Sequence, residues 1–276
     1  MSAMSRSLSN LESKLILHLE WEKLPVVTVD DAAHILGISQ DYARKVLQRL
    51  AWDKWLAVII PGKYELIPAE RGEHAFPDTN PLFIGSQLVT PYYFSYATAA
   101  YFHGLTTQAS QTVFIATLES KTHRRLVREK TYQIIRQPPH HFFGFREVNA
   151  YGSQIVMAEP EKTILDALHR PIYIGDVPEI ATMIWRGRNS LQWDQLGAYA
   201  LRFKSQSLIQ RLGYLIDLLV IPVSSAFRNN LLTSTGKNIC YLGQPSRWKK
   251  RGEFQQPWKL VDNIPHDVLL AEIEAY

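Results

Sequence analysis

Residues 28–50, "TVDDAAHILGISQDYARKVLQRL", contain two short helical patterns separated by one glycine, and this arrangement restricts the fold more than any other stretch. Thr28 and Ser39 are residue types that cap helix N-termini, and Gly37 supplies the left-handed backbone of a tight turn. After Ser39, apolar residues recur at helical spacing and form one stripe: Ala43, Val46, Leu47 and Leu50. The stretch therefore predicts two packed helices, the second with a polar outer face.

The flanking residues extend this pattern to a known class of small domain. Leucines at helical spacing predict a first helix over residues 8–22. Downstream, "WLAVIIPGKYELIP" has two β-rich runs about Pro61-Gly62, a dipeptide suited to a type II turn. The order of helix, helix, turn, helix and hairpin predicts a winged helix-turn-helix.

The outer face of the third helix is the candidate DNA reader. It presents Asp41, Lys45 and Gln48, flanked by Tyr42, Arg44 and Arg49. In a major groove, Arg44 or Lys45 would donate to guanine, Gln48 would bind adenine and Asp41 would accept from cytosine. Arg49, with Lys63 and Tyr64 on the hairpin, would contact the DNA backbone. The alternatives are an outer face that is only solvated and a winged helix that binds protein. The N-terminal quarter is close to neutral, although the whole chain carries +4.

The remaining two hundred residues predict a second, larger domain. The polar, proline-interrupted stretch 70–81, "ERGEHAFPDTNP", reads as a linker, so we place domains at 1–75 and 76–276. After it, "FSYATAAYFHGL" predicts a helix, and "TVFIAT", "TYQIIRQ", "HFFGFREV" and "SQIVMA" predict strands. Helices follow at "EPEKTILDALHRP", 177–185, 193–203 and 207–219. Strands followed by helices predict a mixed α+β domain with a helical C-terminal part.

Three segments in this order, behind such an N-terminal domain, resemble the AbiEi antitoxins: "YATAAYFHGL", "EPEKTILDALHRPIYIGD" and "QRLGYLIDLL". The likeness covers residues 8–261. It implies an N-terminal domain that represses a toxin–antitoxin operon involved in abortive infection and phage resistance, and a C-terminal domain that counteracts a nucleotidyltransferase-like toxin. The positions of the operator-reading helix are then Gln40, Arg44, Lys45 and Gln48. Inverted repeats in the operator would be bound by two copies or by a homodimer, and contact with the toxin stays open.

Two basic segments of the second domain are candidate phosphate or partner patches. The first holds Lys121, His123, Arg124, Arg125 and Arg128, and its alternative reading is a solvated charged face. The second, "SRWKKRGEFQQPWK", interleaves tryptophans with Arg247, Lys249, Lys250 and Arg251. Its tryptophans, Trp248 among them, would stack on bases or pack the loop itself.

Catalytic and metal-binding patterns are weak, so we expect no enzyme, metal or cofactor. Glu119-Ser-Lys121 resembles half of a nuclease site but lacks an upstream acidic partner. "TSTGKN" lacks the first glycine and the hydroxyl of a phosphate loop. The alternative is a winged-helix regulator whose C-terminal domain senses an effector or has an unrecognised activity.

Composition and cysteine usage favour a cytoplasmic protein without membrane contact. Hydrophobic residues make up 46% and charged residues 20%, and Cys240 is the only cysteine, so no intrachain disulfide can form. No window offers the roughly 18 apolar residues of a membrane span.

Overall fold

The computed structural model describes residues 7–72, 76–77, 80–119, 121–248 and 250–274. The chain divides into two compact units. The first comprises Met1–Leu88 with Val127–Glu129, and the second comprises Val89–Leu126 with Lys130–Tyr276. The predicted domain boundary at residue 75 lies outside the described residues, and the first unit continues to Leu88.

The first unit contains helices and a small antiparallel sheet. Its elements are α1 (Asn10–Trp21), β1 (Val26–Thr28), α2 (Val29–Leu36), α3 (Gln40–Trp52), β2 (Leu56–Ile60), β3 (Lys63–Leu66) and α4 (Pro81–Ser86). The three strands pair in the order β1-β3-β2. Both pairings are antiparallel, which leaves β3 in the centre.

Local hydrogen bonds explain why α2 and α3 begin and end where they do. Thr28 and Asp31 form a reciprocal capping box at the start of α2. Gly37 ends that helix in the left-handed conformation, with φ 67° and ψ 39°. Ser39 then accepts a hydrogen bond from the Tyr42 backbone N–H and caps α3. The glycine turn predicted from the sequence is therefore present.

The apolar stripes of α1, α2 and α3 meet in one core. Leu15 and Leu19 of α1 and Leu47 and Leu50 of α3 are fully buried. The cluster also takes in Tyr64 and Leu66 of β3. Each fully buried leucine contributes about 1.5–3 kcal/mol relative to an exposed one, so this core fixes the face that α3 turns to solvent within the unit.

The second unit contains a larger sheet followed mainly by helices. Its strands and helices are β4 (Tyr92–Phe94), α5 (Tyr96–Phe102), β5 (Thr112–Thr117), β6 (His123–Val127), β7 (Lys130–Arg136), β8 (Phe145–Ala150), β9 (Ser153–Ala158), α6 (Pro160–His169), α7 (Val177–Gly187), α8 (Trp193–Phe203), α9 (Gln206–Leu218), α10 (Ser225–Thr233), β10 (Cys240–Tyr241), β11 (Glu253–Gln255), β12 (Leu260–Asp262), α11 (His266–Leu269) and α12 (Ala271–Glu274). Residue Val127, at the end of β6, groups with the first unit.

The six-stranded sheet is mixed and has the order β6-β7-β5-β4-β9-β8. Its parallel pairs are β5 with β7 and β4 with β9. The antiparallel pairs include β4 with β5 and β8 with β9. The order leaves β6 and β8 at the two edges.

Helix α6 is the centre of the helical part. Every residue from Glu161 to Leu168 is buried, including the polar side chains of Glu161, Lys162, Thr163 and Asp166. Pro160 occupies the first turn, where a missing backbone N–H costs nothing. Around it, apolar side chains of α7, α8 and α9 join one continuous cluster.

The C-terminal part adds a three-stranded sheet of order β10-β12-β11. The indole of Trp258, 2% exposed, lies against Gly213 of α9. A Cβ at Gly213 would stand 2.2 Å from the ring, so only glycine permits this contact without movement.

The α+β class predicted from the sequence is confirmed, and some boundaries differ. Residues 139–141 form a short 3-10 turn, so "HFFGFREV" is a strand only from Phe145. The segment 70–81, predicted to be a linker, contains a 3-10 turn and the first residue of α4. None of the described helices is long and apolar enough to cross a membrane.

Candidate nucleic-acid interface

The outer face of α3 is open to solvent in the first unit. Ala43, Val46, Leu47 and Leu50 are buried. The opposite side exposes all of the predicted positions, namely Gln40, Asp41, Tyr42, Arg44, Lys45, Gln48 and Arg49. The amphipathic pattern read from the sequence therefore corresponds to the burial that the structure shows.

The exposed side chains differ in how firmly neighbouring groups hold them. The Gln40 amide donates to Oδ1 of Asp30 at 2.6 Å. The Arg44 guanidinium contacts Oδ1 of Asp41 at 3.2 Å, with side-chain exposures of 53% and 90%. Among the described residues, no hydrogen bond or ion pair engages the side chains of Lys45 and Gln48. Arg44 is thus oriented, whereas Lys45 and Gln48 are unconstrained.

Arg49 lies at the edge of this face, next to α1. Its guanidinium is 3.6 Å from Oε1 of Glu12, whose side chain is nearly buried. Glu12 also closes the capping box of α1 with Ser9. Arg49 consequently links α3 to α1, and its exposed side chain stays at the margin of the outer face.

The two hairpin residues predicted to touch DNA are less exposed than the residues on the outer face of α3. Tyr64 is 5% exposed and belongs to the core of the first unit. Burial raises the pKa of its hydroxyl, and nearby Arg44 opposes that rise. The Lys63 ammonium donates to the backbone carbonyl of Gln87 at 3.0 Å in a partly buried contact. Tyr64, Glu65 and Leu66 of β3 are all buried, so the alternation of a strand alone does not predict which side chains of this hairpin face the core.

The basic patch at 121–128 is in part an edge strand. Lys121, Arg124 and Arg125 are exposed, and His123 and Arg124 begin β6. Charged side chains on an edge strand hinder pairing with other chains. Arg128 contacts the buried carboxylate of Glu65 on β3 at 2.5 Å, so this guanidinium already has a partner within the first unit.

The tryptophans of the segment 246–259 contact side chains elsewhere in the second unit. The Trp248 indole donates to Oδ2 of Asp176 at 2.7 Å, and Arg247 contacts the same oxygen at 3.2 Å. Trp258 donates to Asp217. Trp248 is therefore partly buried and held by a carboxylate of the same unit. Lys250 and Arg251 are exposed, and Lys249 lies outside the described residues.

A buried polar cluster in the second unit was not predicted. Lys162 and Asp166 of α6, both inaccessible to solvent, form an ion pair. Ser95 and Tyr93 donate hydroxyl hydrogen bonds to Oδ2 of Asp166, at 2.6 and 3.2 Å. Burial lowers the pKa of Lys162, and the adjacent carboxylate opposes this. The available signal was a lysine and an aspartate four residues apart, which places both on one face of α6.

Three aromatic rings enclose the Lys162 ammonium. It lies 5.0 Å from the ring centre of Tyr93, 5.4 Å from that of Phe143 and 5.0 Å from that of Phe203. A cation held by aromatic faces and a carboxylate, without solvent contact, is a packing element and offers no route for a substrate.

The residues weighed for metal chemistry are dispersed. Across the described ranges, no three histidine, cysteine, aspartate or glutamate side chains are grouped to hold a metal ion. Glu119 and Lys121 are both exposed, and Ser120 between them lies outside the described residues.

Comparison with known proteins finds a likeness at the level of the fold. No family model and no curated protein match the chain. A similar fold is found in the crystal structure of the RV2827C protein from Mycobacterium tuberculosis, with a TM-score of 0.67 and 19% identity. The match covers 99% of this chain and 97% of that one. At this identity the likeness concerns the fold alone.

Proposed function

We propose that this protein is a DNA-binding transcriptional autorepressor and antitoxin of the AbiEi type, in which the N-terminal unit is a winged helix-turn-helix. The observation that carries the DNA-binding part is the exposed, amide- and cation-bearing face of α3 behind a glycine turn. In this proposal α3 enters the major groove of operator DNA with inverted repeats. The repressor acts in the cytoplasm, as two copies or as a homodimer.

In this proposal the exposed residues have different tasks. Arg44 offers two N–H donors to guanine, and the Gln48 amide offers one donor and one acceptor to adenine. Lys45 supplies a compact charge for a base or a phosphate. Arg49, at the margin, is suited to the DNA backbone. Tyr42 is exposed on the same helix and completes the contact surface.

The antitoxin part rests on the ordered C-terminal motifs that resemble AbiEi proteins. In this proposal, the second unit counteracts a nucleotidyltransferase-like toxin encoded beside it. Co-expression with the neighbouring gene tests this: rescue of growth by the full-length chain supports it, and failure of the full-length chain to rescue contradicts it.

DNA binding is tested by a gel shift with the DNA directly upstream of the gene. The variant Arg44→Ala/Lys45→Ala should bind at least about ten-fold more weakly, because a lost base-reading pair costs roughly 1–3 kcal/mol. The control is Lys14→Ala/Lys23→Asn, which removes the same charge near α1. Asparagine is used at Lys23 because its φ is 54°.

Two results would contradict the DNA-binding proposal. One is the absence of a shift at low salt, where phosphate contacts are strongest. The other is an equal loss of affinity in both double variants, which would show that only the total charge matters.

A further inference from the structure

We propose that Asp41 and Arg44 act as one base-reading pair, with Arg44 binding guanine and Asp41 fixing its guanidinium and accepting from a neighbouring cytosine. This rests on the DNA-binding function proposed above. It assigns a specificity role to an acidic residue that electrostatics alone disfavours next to phosphates.

The geometry supports the pairing directly. The two residues are three apart on α3, so their side chains lie on the same face one turn from each other. Nη1 of Arg44 stands 3.2 Å from Oδ1 of Asp41, and both side chains are exposed. The second carboxylate oxygen and the other guanidinium N–H groups are left for a ligand.

The ion pair between Asp41 and Arg44 contributes little to the stability of the fold. Exposed ion pairs contribute little to folding because water and salt screen them. An acid in the first turn of a helix is favourable by itself, and it needs no arginine partner for that. In a DNA complex Asp41 would repel the phosphates, and a hydrogen bond accepted from a base would offset that repulsion.

Base chemistry identifies that contact. A guanidinium has five N–H donors in a rigid fork. With one N–H held by Asp41, Arg44 keeps two in the arrangement that matches O6 and N7 of guanine. Asp41 can accept from the N4 amino group of cytosine. The pair therefore fits a site in which a guanine adjoins a cytosine in the major groove.

The residues around the pair indicate which side chain of this face would bind guanine. Gln40 is already bound to Asp30, and Tyr64 is buried below Arg44. Lys45 is exposed, but its ammonium is a point charge without a fork. Arg44 is thus the cation on this face whose direction is set before DNA arrives.

The test is selection of binding sites from random duplex DNA by the full-length chain, with the variants Asp41→Ala and Arg44→Lys. Glu22→Ala, an exposed site after α1, is the control for loss of one negative charge. We expect wild type and Glu22→Ala to enrich a site with an adjacent guanine and cytosine. Asp41→Ala should bind random duplex at least as tightly as wild type but discriminate these bases about ten-fold less.

Arg44→Lys separates charge from geometry. It should keep the affinity for random duplex and weaken the preference for guanine, because an ammonium lacks the rigid fork of the guanidinium. Equal base preferences in wild type and Asp41→Ala would overturn this inference while leaving DNA binding intact. If wild type binds no duplex at low salt, the proposed function itself is contradicted.

Discussion

His169, at the end of α6, lies in surroundings that oppose its protonation. Its ring is 4.9 Å from the ring of His141 and 5.4 Å from that of Phe203. Burial, His141 and Arg170 together lower its pKa to about 4, with Lys162 acting in the same direction and Asp166 against it. His141 is buried as well, and burial lowers its pKa too. Both histidines are therefore neutral in the folded protein at neutral pH.

Acid should destabilise the fold through His169. The unfolded chain takes up this proton near pH 6.5, whereas the folded chain resists until about pH 4. Stability from this group is thus complete above pH 6.5 and is lost as the pH falls toward 4. Between pH 7 and 4.5 the free energy of unfolding should fall in both proteins, and we expect the fall in His169→Gln to be smaller by about 1–2 kcal/mol. This figure is reduced because His169 is partly exposed.

Urea unfolding at a series of pH values measures this difference. His34→Gln, at an exposed position of α2, is the control and should keep the wild-type profile. Parallel pH profiles for wild type and His169→Gln would show that His169 is not held neutral.

At the scale of elements, the turn between α2 and α3 depends on one residue. Gly37 has φ 67°, and a Cβ built there meets no atom within 4 Å. The cost of a side chain at this position is consequently conformational and not steric. The turn at Gly37 keeps α2 and α3 packed against each other, with the outer face of α3 exposed.

Gly37→Ala should lower the free energy of unfolding by about 1 kcal/mol, because alanine is strained in left-handed backbone. Gly37→Asn should cost less, since asparagine tolerates that conformation. Denaturant unfolding of the two variants provides the comparison. Equal stability of both variants and wild type would mean that the turn rearranges.

Elements with local signals were predictable from the sequence. The sequence predicted the helix caps, the glycine turn and the apolar stripe of α3 because each depends on neighbouring residues. The caps are Thr28 and Ser39, and the turn is at Gly37. Strand β1, only three residues long, was missed since its pairing with β3 is set by contacts distant in sequence. The burial of Tyr64 was not predicted for the same reason, since it depends on contacts with the helices of the first unit. In the tryptophan loop, the partner Asp176 lies about seventy residues away, beyond any local pattern.

At the scale of the whole molecule, the chain has separate apolar clusters in its two units. One contains Leu47 among the helices of the first unit. The other contains Leu212 of α9 in the second. Both leucines are fully buried, so each substitution by alanine removes packing from one cluster only.

We expect Leu47→Ala and Leu212→Ala each to cost about 2–5 kcal/mol and to lower different thermal transitions. Calorimetry of the full-length variants measures this. A single transition that shifts equally in both variants would show that the two clusters unfold as one.

The enclosure of Lys162 has a consequence for chemical labelling. An amine without solvent contact cannot meet an acylating reagent unless the surrounding aromatic rings and Asp166 separate from it. Its modification rate therefore reports how often this part of the fold opens, while exposed lysines such as Lys14 and Lys45 react in the closed state. The acylation rate of Lys162, measured by mass spectrometry, thus gives the rate at which this part of the fold opens, and no spectroscopic label is needed.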